Sequence, residues 1–391
     1  MTKMTCDVAV IGGGMAGASV AAELAQRRSV VLLEAEPVAG VHSTGRSAAS
    51  YLPSYGGQAV RRLTVASRPL FDAWSSALGI ELLRPRPLIW LSSDAASDEA
   101  AARMLRENVS LQSLTAAQAT ALCPVLRPER ILTALLDSSA MDIDVAGLHH
   151  GYLSELKRRR GRVFYKAPVT QIRRSPGAWL VTVGEHTISC GAVVNAAGAW
   201  VDEVAERADV PPVGVQPKLR SAFTSKPQSD AAIAGSALVA DACERWYFKP
   251  EVGSVLASPA DESDSPPCDA RPDEVAIAQA IDAINEATTL RLRSVMRAWA
   301  GLRSFVPDRS PVVGARRDHE GFCFLAGQGG YGIQMAPALA LVAADIVADG
   351  TLSASVRAYG VTAEELSPDR FTTGRFAASA GSRPLLDTRQ A

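Results

Sequence analysis

The chain opens on Cys6-Asp-Val-Ala-Val-Ile-Gly-Gly-Gly-Met-Ala-Gly-Ala18 and continues through an alanine-rich segment to Val30-Val-Leu-Leu-Glu34. Asp7 to Ile11 is a β-branched apolar run, too short for a helix and ending in glycines, so it reads as a buried strand. Gly12, Gly14 and Gly17 give the G-x-G-x-x-G spacing. The first glycine permits a tight turn, the second lets a pyrophosphate approach the backbone, and the third packs helix against strand. Ala16 to Gln26 reads as a helix whose N-terminal N–H groups and dipole favour a phosphate. Val30 to Leu33 reads as a second strand, ending in Glu34 where a carboxylate can accept hydrogen bonds from a ribose. A G-x-G-x-x-G alone is weak, but strand, glycine turn, helix, strand and acid occur here in order. The stretch reads as a dinucleotide-binding βαβ unit.

At 391 residues the chain has room for two domains, or for one interrupted by another. Lys and Arg number 40 against 41 Asp and Glu, a net charge of -1, which points to neither nucleic acid nor a strongly anionic partner. No apolar run reaches the ~18 residues of a membrane span. The N-terminus enters the first strand directly, so no signal peptide is expected. The six cysteines show no C-x-x-C, consistent with incidental thiols of a reducing compartment and against a metal site. The expected location is cytoplasmic, with a peripheral contact at the inner membrane left open.

Gly40-Val-His-Ser-Thr-Gly-Arg-Ser-Ala-Ala49 consists largely of small residues that allow close approach of a ligand, with hydroxyls from Ser43, Thr44 and Ser47. Three motifs in order, V-I-G-G-G-M-A-G-A, H-S-T-G-R-S-A-A and A-G-Q-G-G-Y-G-I-Q, make the chain resemble the FAD-dependent D-amino acid oxidase and dehydrogenase superfamily. The likeness extends to its bacterial D-arginine dehydrogenase group and runs from about Val8 to about Pro368. It implies noncovalent FAD and an amine-oxidising site. The implied fold is α/β: a Rossmann-like FAD-binding domain interleaved with an antiparallel-sheet α+β substrate domain. Implied FAD contacts are Gly12, Gly14, Ala16, Gly17, Glu34 and Ala35, then Ser43, Thr44, Gly45, Arg46, Ser47, Ala48 and Ala49. Val169, Ala197 and Gly198 follow, and finally Gly329, Gly330, Tyr331, Gly332, Ile333 and Gln334.

The texture of the chain suggests how the domains alternate. Residues 1–85, 145–212 and 300–360 are assigned to the FAD domain, 86–144 and 213–299 to the substrate domain, and 361–391 to a tail. Helices are expected over Val60 to Leu78, Asp98 to Asn108, Thr115 to Leu122, Asp144 to Arg160 and Glu274 to Ala287. The run Lys157-Arg-Arg-Arg-Gly-Arg162 suits a helix C-terminus with Gly161 as its stop better than a nucleic-acid patch. Strands are expected over Leu88 to Leu91, Val163 to Ile172, Trp179 to Val183, Thr187 to Ser189 and from Ala192. Turn-separated strands from Val213 to Ala257 read as an antiparallel sheet. Gly329 to Gln334 reads as a second glycine turn, feeding a helix whose N-terminus suits charge developing on a reduced flavin.

Arg220, Tyr247 and Arg303 could hold an amino acid, since a guanidinium clamps a carboxylate with two parallel charge-assisted hydrogen bonds. The resemblance gives the carboxylate to Arg303, Tyr247 and Arg220 and makes Tyr55 the residue that closes the site. Ser50, Leu88 and Gly330 are the expected pocket residues. Leu88 and Ser50 depart from the D-arginine-preferring pattern, which has an acid and a histidine there. Neutral, apolar D-amino acids are therefore expected, oxidised to imino acids that hydrolyse to 2-oxo acids. Such a site works by positioning and electrostatics and needs no metal. The electron acceptor, a quinone, another carrier or O2, is open. So are a glycine- or sarcosine-type secondary amine oxidase, a 2-hydroxy acid dehydrogenase and a catalytically silent dinucleotide-binding protein. A flavin monooxygenase would show a G-D-A-x-H-type turn where this chain has Gly327-Gln-Gly-Gly-Tyr331.

Overall fold

The strand Lys3–Ile11 is paired in parallel on both sides, with Val30–Leu33 and with His186–Asn195. A parallel strand covered on both faces needs the near-continuous apolar run found at Val8 to Ile11. The computed structural model describes residues 3–371, apart from 109, 229–232 and 234. In it the first sheet has eight strands. Val169–Ser175, Ala178–Val183, His186–Asn195, Lys3–Ile11, Val30–Leu33 and Arg162–Phe164 follow one another, and Phe322–Ala326 continues beside the far end of His186–Asn195 with Val312–Ala315 against it. Helices Met15–Leu24, Val145–Arg158 and Ala336–Asp349 bury Leu24, Leu148, Tyr152, Leu156 and Leu339 on one face. The short helix Val201–Glu206 covers the other face through Val201, Val204 and Ala205.

The glycine turn carries the closest packing. Gly12 has φ of 103°, and a Cβ there would lie 2.5 Å from the Ala196 carbonyl oxygen. A Cβ on Gly17 would lie 1.8 Å from the Gly12 carbonyl oxygen, backbone against backbone, with nothing flexible to yield. Gly17→Ala is therefore expected to force helix and turn apart, lowering stability by about 3 kcal/mol and abolishing cofactor retention. Urea unfolding and the flavin content of the purified variant measure both.

The second sheet also has eight strands, in the order Val295–Phe305, Gln216–Ser225, Ser254–Ser258, Tyr247–Glu251, Leu238–Asp241, Leu88–Ser92, Thr133–Asp137 and Gln112–Leu114. Glu274–Ala287 covers one face, burying Ile277, Ala280 and Ile284 against Phe223 and Phe248. The other face carries Leu88, Trp90, Leu238 and Ala240. A small third sheet joins Ser50–Tyr51, Met141–Ile143 and Leu83–Pro85. No helix among the described residues is long and apolar enough to cross a membrane.

Several elements differ from the sequence reading. The strand expected over Val163 to Ile172 is two, Arg162–Phe164 and Val169–Ser175, because Lys166 takes a positive φ and Pro168 precedes the second. The strands expected on either side of Gly191 are one, His186–Asn195, whose ladder to Lys3–Ile11 runs along both halves. The division expected at residue 300 cuts through Val295–Phe305, which pairs with Gln216–Ser225 along its whole length and lies in the second sheet. Residues 361–371, expected as tail, pack on the first sheet's side: Val361 and Leu366 are buried and Arg370 Nε donates to Asp308 Oδ2 at 2.8 Å. The remainder of the expected tail lies outside the described residues.

Candidate active site

One continuous cleft of about 560 Å³ runs from the first sheet's glycine turn to the inner face of the second sheet. At its first end the Glu34 carboxylate organises the backbone: Gly13 N–H donates to Oε2 at 2.8 Å and Glu36 N–H to Oε1 at 2.8 Å. The Thr44 hydroxyl accepts the Met15 N–H at 2.9 Å, tying the small-residue segment to the start of the helix. Val169 lines the same end, its carbonyl accepting Arg207 Nη1 at 2.7 Å. Of the expected cofactor residues, Gly12, Gly14, Ala16, Glu34, Ala35, Ser43, Thr44, Ser47, Ala48, Ala49, Ala197, Gly198, Gly329, Gly330, Gly332, Ile333 and Gln334 line the cleft. Gly17, Gly45 and Tyr331 do not. Gly17 is consumed in helix–turn packing, Gly45 donates its N–H to the Gly40 carbonyl at 2.8 Å, and Tyr331 packs its ring on Tyr55 and Phe305.

Arg46 borders the cleft, but its guanidinium is spent elsewhere. It donates to the carbonyls of Val41, Ala270 and Ala300 and pairs with Asp269. With Ser43 Oγ donating to the Leu302 carbonyl at 2.6 Å, it straps the cofactor-side segment to the second sheet. Gln334 is likewise committed: Nε2 donates to Thr64 Oγ1 at 2.9 Å and Oε1 accepts the Leu52 N–H at 3.2 Å.

At the other end, Arg220, Arg303, Tyr55 and Tyr247 gather around the cleft with Ser50, Leu88 and Trp90. The register of Gln216–Ser225 against Val295–Phe305 sets Arg220 opposite Gly301, two residues from Arg303 and on the same side of the strand pair. Arg303 lies against Gly330, where a Cβ would come within 2.7 Å of its Cζ, so glycine is required for the guanidinium to occupy this place. Arg303 Nη1 donates to Tyr55 Oη at 3.5 Å, and that hydroxyl donates to Glu244 Oε2 at 2.7 Å. Burial pushes the Tyr55 phenol far above its ordinary pKa, keeping it a neutral donor. Arg220 Nη2 pairs with Glu262 Oε1 at 3.1 Å, and Arg309 Nη2 donates to both oxygens of the same carboxylate. Burial, and then the charge of Arg303, push Arg220 below the ordinary arginine value. Burial works against the Glu262 charge, but Arg309 and then the two cleft arginines outweigh it and hold the carboxyl below its usual range.

Against this geometry, the family described as FAD dependent oxidoreductase matches residues 7–346. The chain belongs to the FAD-dependent oxidoreductase family. It is similar to the mitochondrial dimethylglycine dehydrogenase of Rattus norvegicus, 28% identical over 211 residues, covering 52% of this chain and 24% of that protein. It is also similar to the FAD-dependent oxidoreductase domain-containing protein 1 of Bos taurus, 31% identical over 186 residues, 42% of this chain and 37% of that one. The matched part thus spans well under half of these relatives. Several solved structures share the fold. The L-proline dehydrogenase from P. horikoshii aligns with a TM-score of 0.82 at 21% identity, over 95% of this chain and 99% of that one. The glycine oxidase from Geobacillus kaustophilus gives 0.77 at 20% identity, over 88% and 95%.

The residues of this FAD-dependent oxidoreductase fit the flavin dinucleotide. The turn is a cradle that side chains would fill: a Cβ on Gly13 would meet Glu34 Oε2 at 2.7 Å. Arg220 Nε, Trp90 Nε1 and Gln328 Nε2 are buried without a partner, and all three residues line the cleft. Sequence reading missed Glu244, Glu262, Trp90 and His149. Glu244 had a local signal, since it sits in the turn between two expected strands, just ahead of Tyr247. His149 lies on the buried side of an amphipathic helix, beside a second histidine, His150, and gave none.

Proposed function

We propose that the chain oxidises neutral, apolar D-amino acids at Cα, giving imino acids that hydrolyse to 2-oxo acids. The observation that carries this reading is the pair of guanidiniums, Arg220 and Arg303, facing one end of a cleft whose other end is built on Glu34 and the glycine turn. FAD, when bound, supplies the acceptor for the hydride leaving Cα. Arg303 and Arg220 hold the carboxylate, the Tyr247 hydroxyl adds a donor, Tyr55 closes the same end with its own hydroxyl donated to Glu244, and Leu88 and Trp90 form an apolar wall for the side chain. The amine must be uncharged when the hydride leaves, because its lone pair becomes the new C=N bond. The second sheet supplies all of these groups except Tyr55 from its strands, so the contribution is orientation and electrostatics more than proton transfer.

The likeness to the dimethylglycine dehydrogenases, glycine oxidase and L-proline dehydrogenase favours a second reading, oxidation of a secondary or tertiary amine of an amino acid. Anaerobic mixing of the flavin-loaded protein with D-leucine, L-leucine, sarcosine, N,N-dimethylglycine and proline separates the two. Rapid bleaching by D-leucine is expected. Bleaching by the N-substituted compounds, with none by D-amino acids, would replace the first reading with the second. The flavin is expected to be noncovalent, so acid precipitation should leave the yellow colour in the supernatant; colour in the pellet means a covalent link.

A further inference from the structure

His149 stands outside every role described so far, on the helix Val145–Arg158 that packs behind the glycine turn. Its Nε2 lies 2.9 Å from the Gly13 carbonyl oxygen. A carbonyl only accepts, so Nε2 carries the proton and the imidazole donates. The ring fits because Gly40, at φ of 80°, has no side chain; a Cβ there would lie 3.0 Å from His149 Cε1. Burial holds the imidazole below its ordinary pKa, so it is uncharged at neutral pH. Both backbone polar groups of Gly13 are thus tied, the N–H to Glu34 and the carbonyl to His149.

The peptide joining Gly13 and Gly14 is planar and trans, so its carbonyl and its N–H point in opposite directions. Drawing the carbonyl back toward the helix aims the Gly14 N–H away from it, and Gly14 lines the cleft. Its neighbour, the Met15 N–H, is already taken by Thr44. We infer that His149 is a positioning residue for the dinucleotide's pyrophosphate, fixing the peptide plane that presents the Gly14 N–H to it. Docking of the helix does not need this bond, because Leu148, Tyr152 and Leu156 already bury it against the sheet.

The test uses flavin-free protein titrated with FAD, with ADP and with adenosine, in wild type and in His149→Leu, His149→Asn and His149→Gln. Gln places an amide donor near the position of Nε2; Asn is too short, and Leu has no donor. Loss of the Leu or Asn variant's affinity for FAD and ADP by about tenfold is expected, with adenosine binding unchanged and Gln close to wild type. Undiminished ADP binding in Leu and Asn would overturn the inference. So would an equal loss for adenosine, which marks general damage to the site, or failure of Gln to restore binding, which makes the ring's shape the cause. Should the Leu variant not fold, the contrast between Asn and Gln reads the same effect.

Discussion

Arg303→Met is expected to leave FAD content near wild type while cutting amino acid turnover by orders of magnitude. Among the described residues, the hydrogen bond recorded for this guanidinium is to a neutral phenol, Tyr55 Oη, at 3.5 Å. Arg220 and Arg309 share Glu262, which leaves the charge of Arg303 without a carboxylate hydrogen-bonded to it. A substrate carboxylate completes that arrangement, and truncating one partner of such a buried pair costs roughly 2–5 kcal/mol, about 30- to 4,000-fold in kcat/KM. Met keeps the bulk against Gly330, so the adjoining turn is not released. Lost carboxylate binding should appear first in KM, and kcat should fall as well if Cα is no longer held in register. Steady-state kinetics on flavin-loaded protein, with the flavin-to-protein absorbance ratio as the control, measures both. Turnover close to wild type would make Arg303 a structural residue.

The parts of the molecule that were legible in sequence are those whose chemistry is local. Gly12, Gly14, Gly17 and Glu34 lie within one βαβ unit, so glycine spacing, strand pattern and terminal acid could all be read in a single pass. Val30–Leu33 and Glu274–Ala287 have the bounds their apolar patterns predict. The strands that were missed, such as Gln112–Leu114 and Met141–Ile143, are short and only partly buried, so no face carries an alternation to detect. Their existence depends on partners elsewhere in the chain. The cleft shows the same limit. Tyr55 meets Glu244 across 189 residues of sequence, and His149 meets Gly13 across 136. The turn position of Glu244 is local, but neither partner can be read from the residues around the other. Arg46 lies in a segment that lines the cleft, while its guanidinium is bonded across to the second-sheet side.

Side-chain preference is where a carboxylate unseen in the sequence matters most. Leu88 is fully buried, paired on both sides in its sheet, and lines the cleft beside Trp90. A cationic side chain placed against this wall loses its hydration at a cost of several kcal/mol, whereas a leucine-sized side chain gains about 1.5–3 kcal/mol. Glu244 also lines the cleft, yet it is exposed and its carboxylate already accepts the Tyr55 hydroxyl. Wild type is therefore expected to turn over D-leucine and D-methionine at least 100-fold more efficiently than D-arginine, a gap of about 2.7 kcal/mol. Glu244→Gln should leave that ratio unchanged, because its amide oxygen can still accept from Tyr55. Leu88→Glu, assayed on the flavin-loaded fraction, should narrow the ratio by supplying a counter-charge inside the apolar wall. The measurement is kcat/KM for the three substrates in the three proteins. A wild type that prefers D-arginine, and loses that preference in Glu244→Gln, would make Glu244 the counter-charge and move the side-chain end of the pocket from Leu88 to the mouth of the cleft.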